Sequence, residues 1–416
     1  MASENPLWPL LSEAPTEEDL GRCVHCGLCV NACPTYLVTG LEVESPRGRI
    51  HMAKLISDGR SELTASIQNH WELCLQCRAC EAVCPSGVPY GRIQEHARAQ
   101  LGAAAPSGKR GRRWRRFALR NVVARPRVLA FAVAPARWYA NSRMRWLFRR
   151  LLPGRLRTME SQLPRGLERP FRPGDTKTEA PAGVLFTGCI MGELFGGVHR
   201  ATERVYARAG MPLTAAEGQG CCGALHAHDG DLEFARKLAR KNIAALEKTA
   251  GPIVVNSAGC GAAMKEYGDL LGGDLRWAER AAAFSARVKD ASELLGELPA
   301  GSFAERVTYQ DACHLAHAQR IKDGPRELLR GLDGIEMVET NGADVCCGAA
   351  GIYSLVQPEM SAKLRSRKAE QFAAAKPDVI VTANPGCHLQ YQAAVAEAGI
   401  DARVMHLMEV LDEATS

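Results

Sequence analysis

Cys23-Val-His-Cys26-Gly-Leu-Cys29-Val-Asn-Ala-Cys33-Pro34 recurs, fifty-one residues later, as Cys74-Leu-Gln-Cys77-Arg-Ala-Cys80-Glu-Ala-Val-Cys84-Pro85. Both copies read C-x2-C-x2-C-x3-C-P, the ligand spacing of bacterial [4Fe–4S] clusters. A cubane needs four thiolates around one compact, soft core. Three cysteines at three-residue intervals let one tight loop cover three corners, and the fourth arrives from farther away. Where two such runs occur together, the fourth cysteine of each serves the other cluster. On that wiring one cluster takes Cys23, Cys26, Cys29 and Cys84, and the other takes Cys74, Cys77, Cys80 and Cys33. The bland alternative is zinc, which spaces two C-x2-C hooks by about a dozen or more residues around one ion. Two tight quartets fit that poorly.

The chain has 416 residues, 46% hydrophobic and 24% charged, enough for two or three domains with cores of their own. Its sixteen cysteines are too sparse for a disulfide scaffold. They cluster beside Gly and Pro, which points to metal sites in a reducing compartment. Met1–Leu20 lacks a basic start followed by an apolar core, so no secretory signal is expected. The longest apolar run, Val128–Ala136, is about half the roughly 20 residues that a bilayer span needs. A cytoplasmic location is expected, with at most a peripheral place on the inner face of the cell membrane.

Charge is unevenly spread. Between Lys109 and Arg172 one Lys and eighteen Arg face two Glu, a net +17 that leaves −11 for the rest of the chain. Trp114, Phe117, Trp138, Tyr139, Trp146 and Phe148 are interleaved with these arginines. Such a stretch suits an acidic protein face or an anionic membrane surface better than nucleic acid, which is an unlikely partner. The plainer expectation is a set of solvated helix faces with the aromatics tucked inward.

Residues 181–416 hold an internal repeat. Cys189 aligns with Cys313, Cys221-Cys222-Gly223 with Cys346-Cys347-Gly348, and Cys260 with Cys387, at offsets of 124, 125 and 127. Short apolar runs repeat too: Gly183-Val-Leu-Phe-Thr with Arg306-Val-Thr-Tyr-Gln, Pro252-Ile-Val-Val-Asn with Pro377-Asp-Val-Ile-Val, and Ala286-Arg-Val with Ala402-Arg-Val. The last pair is read as leading into an apolar helix in each copy. Helical patterns such as Leu232–Thr249 and Met360–Ala375 lie between the runs. Strands alternating with helices predict a small, largely parallel α/β sheet in each copy. The cysteines then fall just past the carboxyl ends of strands, where open α/β sheets have their ligand crevices. Gly223 and Gly348 permit the tight turn that brings two adjacent thiols to one place. A buried structural role for these eight cysteines is the plainer reading, and the twofold recurrence of the pattern argues against it.

With the pattern C-x(31–32)-CCG-x(35–37)-GC, each repeat resembles the cysteine-rich "CCG" domain of heterodisulfide reductases. Two ferredoxin quartets followed by two CCG domains resemble the iron–sulfur subunit of bacterial glycolate oxidase (glycolate dehydrogenase). The resemblance covers CVHCGLCVNACPTY, PRGRI, CLQCRACEAVCPSGVPY, GCCGA, VCCGAAG and SAGCGAAMKEYG. It implies an α+β multidomain fold: a mainly helical two-cluster ferredoxin domain over 1–101, an Arg-rich docking segment over 102–180, and duplicated α/β CCG domains over 181–300 and 301–416. It also implies an electron-transfer subunit of an oxidoreductase complex, with two [4Fe–4S] clusters. A flavoprotein partner would oxidise glycolate to glyoxylate, and an acceptor such as quinone would take the electrons. Related subunits of lactate and anaerobic glycerol-3-phosphate dehydrogenases, and heterodisulfide reductase subunits, share parts of the plan.

One departure bears on the cofactors. The full CCG motif ends in C-x2-C, and Ser257 and Asn384 stand where the first of those cysteines would be. Each repeat therefore offers four thiols for a further centre: Cys189, Cys221, Cys222 and Cys260, then Cys313, Cys346, Cys347 and Cys387. A cluster, another metal site and a redox-active thiol group all remain open there. His226, His228, His314 and His388 follow these cysteines and could tune them. Arg47 and Arg49 could neutralise cluster charge or form salt bridges. No G-x-G-x-x-G after a strand, P-loop or G-x-S-x-G elbow is present, so flavin is expected on the partner and no catalytic residue is expected in this chain.

Overall fold

The computed structural model describes residues 8–104, 109–142, 160, 167–176, 178–296 and 298–416. Of the aromatics singled out above, Trp146 and Phe148 lie outside the described residues. The N-terminal module is built from short helices between cysteine loops. Its α1 (Glu17–Gly21) starts where Thr16 Oγ1 accepts from the Asp19 N–H (3.2 Å). Two further helices, α2 (Pro34–Thr39) and α3 (Pro46–Ser57), each carry Pro in the first turn, where no N–H is needed. Ser45 caps the second of these through the Gly48 N–H (3.0 Å). Next come α4 (Ala65–Glu72), capped by Thr64, the single turn α5 (Ala79–Ala82), and α6 (Tyr90–Ala104). Trp8, Ile50, Ile56, Ile67, Trp71, Ile93 and Leu101 form the core, with Cys23, Cys29, Cys74, Cys80 and Cys84 packed on it. So small a core gains cohesion when metal is bound, because metal-binding free energy is also folding free energy.

Two helices of the basic segment follow, α7 (Lys109–Ala118) and α8 (Pro126–Ala140). On and just after α7 several arginines turn inward, while four aromatics of the two helices face outward, against the plain expectation. Arg112 pairs with Glu72 (2.5 Å), Arg115 with Asp229 (2.5 Å) and Arg120 with Asp231 (2.6 Å), while Trp114, Phe117, Phe131 and Trp138 are all exposed. The acidic groups sit where the N-terminal module meets the first repeat, so charge pairing there turns α7 with its basic side inward.

Each repeat carries a four-stranded, all-parallel sheet. The first joins β1 (Gly183–Leu185), β2 (Leu213–Thr214), β3 (Ile253–Val255) and β4 (Val288–Asp290) in the order β2-β1-β3-β4. The second joins β5 (Arg306–Tyr309), β6 (Glu336–Met337), β7 (Val379–Thr382) and β8 (Arg403–His406) in the order β6-β5-β7-β8. Pairing Val184 with Ile253 and Val307 with Val379 sets equivalent registers. The copies share one core, in which Leu185 and Val254 join Val307, Val379, Val381 and Leu411. Helix Leu407–Ala414 crosses onto helix Gly196–Arg208 of the other repeat, where Asp412 holds Arg204 (2.5 Å) and Arg208 (2.9 Å).

The two copies diverge after their last strands. An apolar helix follows β8, whereas β4 runs into a turn in which Asp290 Oδ1 accepts from the Ser292 N–H (2.9 Å) and hydroxyl (2.7 Å). That side-chain-to-backbone pairing competes with helix formation. No described helix is long and apolar enough to cross a membrane.

Candidate metal centres

Both cysteine loops of the N-terminal module use the same backbone device. His25 (φ 54°) and Gly27 (φ 87°) flank Cys26, and Gln76 (φ 53°) and Arg78 (φ 66°) flank Cys77. Left-handed residues alternating with right-handed ones curl successive N–H groups towards one point, a concavity suited to anionic sulfur. Gly27 takes up the left-handed φ without strain, and a Cβ there would displace only the end of the Arg47 side chain (2.7 Å from Nη1). Its counterpart Arg78 bears left-handed strain and is held by Glu81 (2.7 Å) and by Glu266 of the first repeat (2.7 Å).

The eight cysteines sort into two groups. Cys23, Cys26, Cys29 and Cys84 line one cavity, and Cys33, Cys74, Cys77 and Cys80 line a second. Cys80 also touches the first cavity. Each group thus takes three cysteines from one loop and the last cysteine of the other. In the first group Cys26 is exposed and the others half-buried, whereas all four of the second are buried.

Around the second group, Tyr90 Oη reaches Cys74 Sγ (3.6 Å). Arg49 is buried beside Cys33 and Cys74 and pairs with Glu44 (2.6 Å). Arg47 instead pairs with Glu42 (2.7 Å) and donates to the His25 carbonyl (3.2 Å), so both arginines form salt bridges. Burial pushes the Cys77 and Cys80 thiols well above their ordinary range. Thiolates so placed need a cationic centre to stabilise them, and these donors suit iron.

In the repeats, the first cysteine follows β1 or β5, the Cys-Cys-Gly turn follows β2 or β6, and the last cysteine follows β3 or β7. Gly223 (φ 91°) and Gly348 (φ 86°) are left-handed, as the paired thiols require. Four sulfurs then run in series in each copy. Cys221 lies within hydrogen-bonding reach of Cys189 and Cys222, and Cys222 Sγ is 3.2 Å from Cys260 Sγ. Cys346 likewise reaches Cys313 and Cys347, and Cys347 reaches Cys387. Among the described residues, no three His, Cys, Asp or Glu side chains are set to hold a single metal ion. Ser257 is buried at the start of helix Ala258–Lys265, and Asn384 Nδ2 donates to Cys387 Sγ (3.6 Å).

Sequence reasoning missed Lys368. It is buried in helix Pro358–Ala375, and its Nζ donates to Gln310 Oε1 (2.9 Å), the Gly342 carbonyl (2.8 Å) and the Ala343 carbonyl (3.1 Å). Burial lowers its pKa, while the facing Cys347, Cys387 and Cys346 act to raise it. The repeat register sets it opposite Asn242, whose Nδ2 donates to the Cys221 carbonyl (2.9 Å). That mismatch of a lysine with an asparagine inside the repeat was the available signal.

The histidines act as braces. His314 Nε2 meets the Gln76 carbonyl (3.0 Å), its ring lies over His228 (5.2 Å), and burial pushes its pKa down to about 3. His228 Nδ1 pairs with Glu95 (3.0 Å), His388 bonds Gln392 (3.0 Å), and His226 packs on Phe234. The second cysteine loop is thereby fastened to the second repeat. Cys77 shares an apolar cluster with Cys346, Tyr353 and Leu364, with Cys313 packed against it.

Comparison with known proteins agrees with this layout. Residues 19–88 match the 4Fe-4S dicluster domain, and residues 184–265 and 307–392 match the Cysteine-rich domain. The probable glycolate oxidase iron-sulfur subunit of Bacillus subtilis is 38% identical, over 97% of this chain and 95% of that one. The chain belongs to the glycolate oxidase iron–sulfur subunit family. The Escherichia coli glycolate oxidase iron-sulfur subunit is 34% identical over 95% of this chain and 94% of its own. Lactate utilization protein A of Oceanobacillus iheyensis is 29% identical over 55% of this chain and 95% of its own. Like other members of the family, the chain is an iron–sulfur electron-transfer subunit of an oxidoreductase complex.

Proposed function

We propose that this chain accepts electrons from a flavoprotein subunit that oxidises glycolate to glyoxylate and delivers them to an acceptor such as quinone. Cys23, Cys26, Cys29 and Cys84 would hold one [4Fe–4S] cluster, and Cys33, Cys74, Cys77 and Cys80 the other. Such a cluster, when bound, stores and releases one electron at a time. The observation that carries this reading is the crossed sorting of the cysteines into a partly exposed group and a buried one. Val24 and Leu28 lie exposed beside Cys26, an apolar rim fit for the flavoprotein, while Arg49 and Tyr90 offset charge in the buried group and its apolar wall excludes water. The second repeat's thiols, next to Cys77, are proposed as a further redox site. This chain contributes transfer alone, with the hydride chemistry on the partner.

Anaerobic co-purification tests the proposal. Iron, sulfide and flavin are quantified, and glycolate, D-lactate and glycerol 3-phosphate are each tried as reductant. About eight irons per chain and rapid reduction by glycolate are expected, and fewer than about seven in fully loaded protein contradicts the ligand assignment. Reduction by D-lactate alone would move the donor towards that of the lactate-utilisation relatives.

A further inference from the structure

Helix α8 has two faces with opposite tasks. Leu129 and Val133 pack on Cys189, Cys221 and Leu238, closing over the first repeat's thiols. On the other side, Val128, Phe131, Pro135 and Trp138 recur at helical spacing, with Phe131 83% and Trp138 67% exposed. Arg113, Arg125 and Arg127 are exposed on the same two-helix segment, and α7 adds an exposed Trp114–Phe117 pair in edge-to-face contact. No Asp or Glu occurs between Glu95 and Glu160, so the segment carries nothing to repel an anionic surface.

Isolated exposed apolar residues are ordinary, but an aromatic stripe along a helix marks an interaction face. The arginines best placed for specific ion pairs, Arg112, Arg115 and Arg120, already pair within the chain. What faces outward is Trp and Phe bordered by cationic side chains, the composition of helices that lie in a membrane interface. We propose that the Val128–Phe131–Pro135–Trp138 face of α8 docks the chain on an anionic phospholipid surface. The first repeat's thiols then sit about one helix diameter, roughly 10 Å, behind the lipid boundary. A lipid-dissolved electron acceptor can come that close without any membrane-spanning segment. The docking face does not depend on which donor feeds the chain.

The test is sedimentation of the cluster-loaded full chain with vesicles of phosphatidylcholine alone or mixed with phosphatidylglycerol. Binding to the anionic vesicles is expected, weakening as salt rises. Phe131→Ser/Trp138→Ser should reduce it roughly tenfold with iron content unchanged, and Arg125→Glu/Arg127→Glu should reduce it to a similar degree. Quenching of tryptophan emission by brominated lipid should fall in Trp138→Phe, a variant that keeps the apolar face. Equal binding to both vesicle types, no binding to either, or full binding by the serine variant overturns the proposal. Burial of Phe131 and Trp138 by the flavoprotein, with vesicle binding lost in the complex, also overturns it. Since binding is read without substrate, failure of glycolate to reduce the chain leaves this result interpretable.

Discussion

Arg49 offers the sharpest stability test. Its Nε donates to the His70 carbonyl (2.8 Å), Nη1 to the Glu44 carbonyl (2.7 Å) and Thr35 Oγ1 (3.2 Å), and Nη2 to Glu44 Oε2 (2.6 Å). Arg49, Thr35 and Glu44 lie out of solvent, with the partly exposed His70 Nδ1 on the other Glu44 oxygen (2.6 Å). Arg49→Met preserves much of the volume but leaves the Glu44 carboxylate with His70 alone. Breaking a buried pair from one side costs about 3–5 kcal/mol, because the remaining charge stays desolvated. With a guanidinium slope of roughly 2–6 kcal/mol/M, the unfolding midpoint of the module should fall by about 1 M. The assay is loss of cluster absorbance in an anaerobic guanidinium titration. Adding Glu44→Gln removes the orphaned charge, so the double variant should recover roughly half of the loss. Lysine should fall between, having no planar fork to span Thr35 and both Glu44 acceptors. A fall under about 0.2 M for Arg49→Met would refute the claim that this pair anchors the second cysteine group.

Other expectations concern the repeats. His406 is buried, with Nε2 donating to the Asn256 carbonyl (2.9 Å) and Nδ1 accepting from the Met408 N–H (3.1 Å), and burial pushes its pKa from 6.5 down to about 4. Its contribution is therefore complete above pH 6.5 and lost as pH falls towards 4. The stability advantage of wild type over His406→Gln should shrink by about 1.4 kcal/mol per pH unit across that window. Glu409, pushed up to about 7 by burial, has the opposite slope and is common to both proteins, so the difference isolates the histidine. Gly348→Ala should destabilise more than Gly223→Ala, by about 1 kcal/mol or more in thermal unfolding. Both are left-handed, but a Cβ at 348 would stand 3.1 Å from Leu364 Cβ and Ser361 O, against 3.4 Å from Ala235 at 223. Arg78→Gly should relieve backbone strain yet lose the Glu266 contact (2.7 Å), and limited proteolysis should detect a loosened second cysteine loop.

Local geometry was open to sequence reading because it is encoded locally. Cysteine spacing foretold the two loops, and the short apolar runs foretold the parallel strands. Burial of the loops was not legible. Val24 and Leu28 correspond to Leu75 and Ala79 in the second loop, four small or medium apolar residues, yet the first two are exposed and the last two buried. The second repeat, some 240 residues away in sequence, covers one loop and not the other, through His314 on Gln76 and Tyr353 on the Leu73 carbonyl (2.8 Å). The orientation of α7 also depended on a distant partner, Asp229, which takes both Arg115 and Arg116. Neither pattern leaves a trace in the local periodicity.

The same long-range packing makes the two repeats unequal. Their thiols are alike, but in the second a buried ammonium, Lys368, faces them, and Cys346 packs against Cys77. Lys368 Nζ has three donors and three acceptors around it, so its charge is satisfied without drawing on the sulfurs. A fixed positive charge in a poorly solvated site favours whichever redox state carries more negative charge, the reduced one. An electron leaving the buried cysteine group would therefore be drawn towards the second repeat. Lys368→Met should shift the reduction midpoint of the second repeat's site negative. Asn242→Lys should shift the first repeat's positive, each measured by potentiometric titration of the iron-loaded chain. Unchanged midpoints in both variants would mean that the lysine serves packing alone, and that the inequality of the repeats lies in their distance from Cys77.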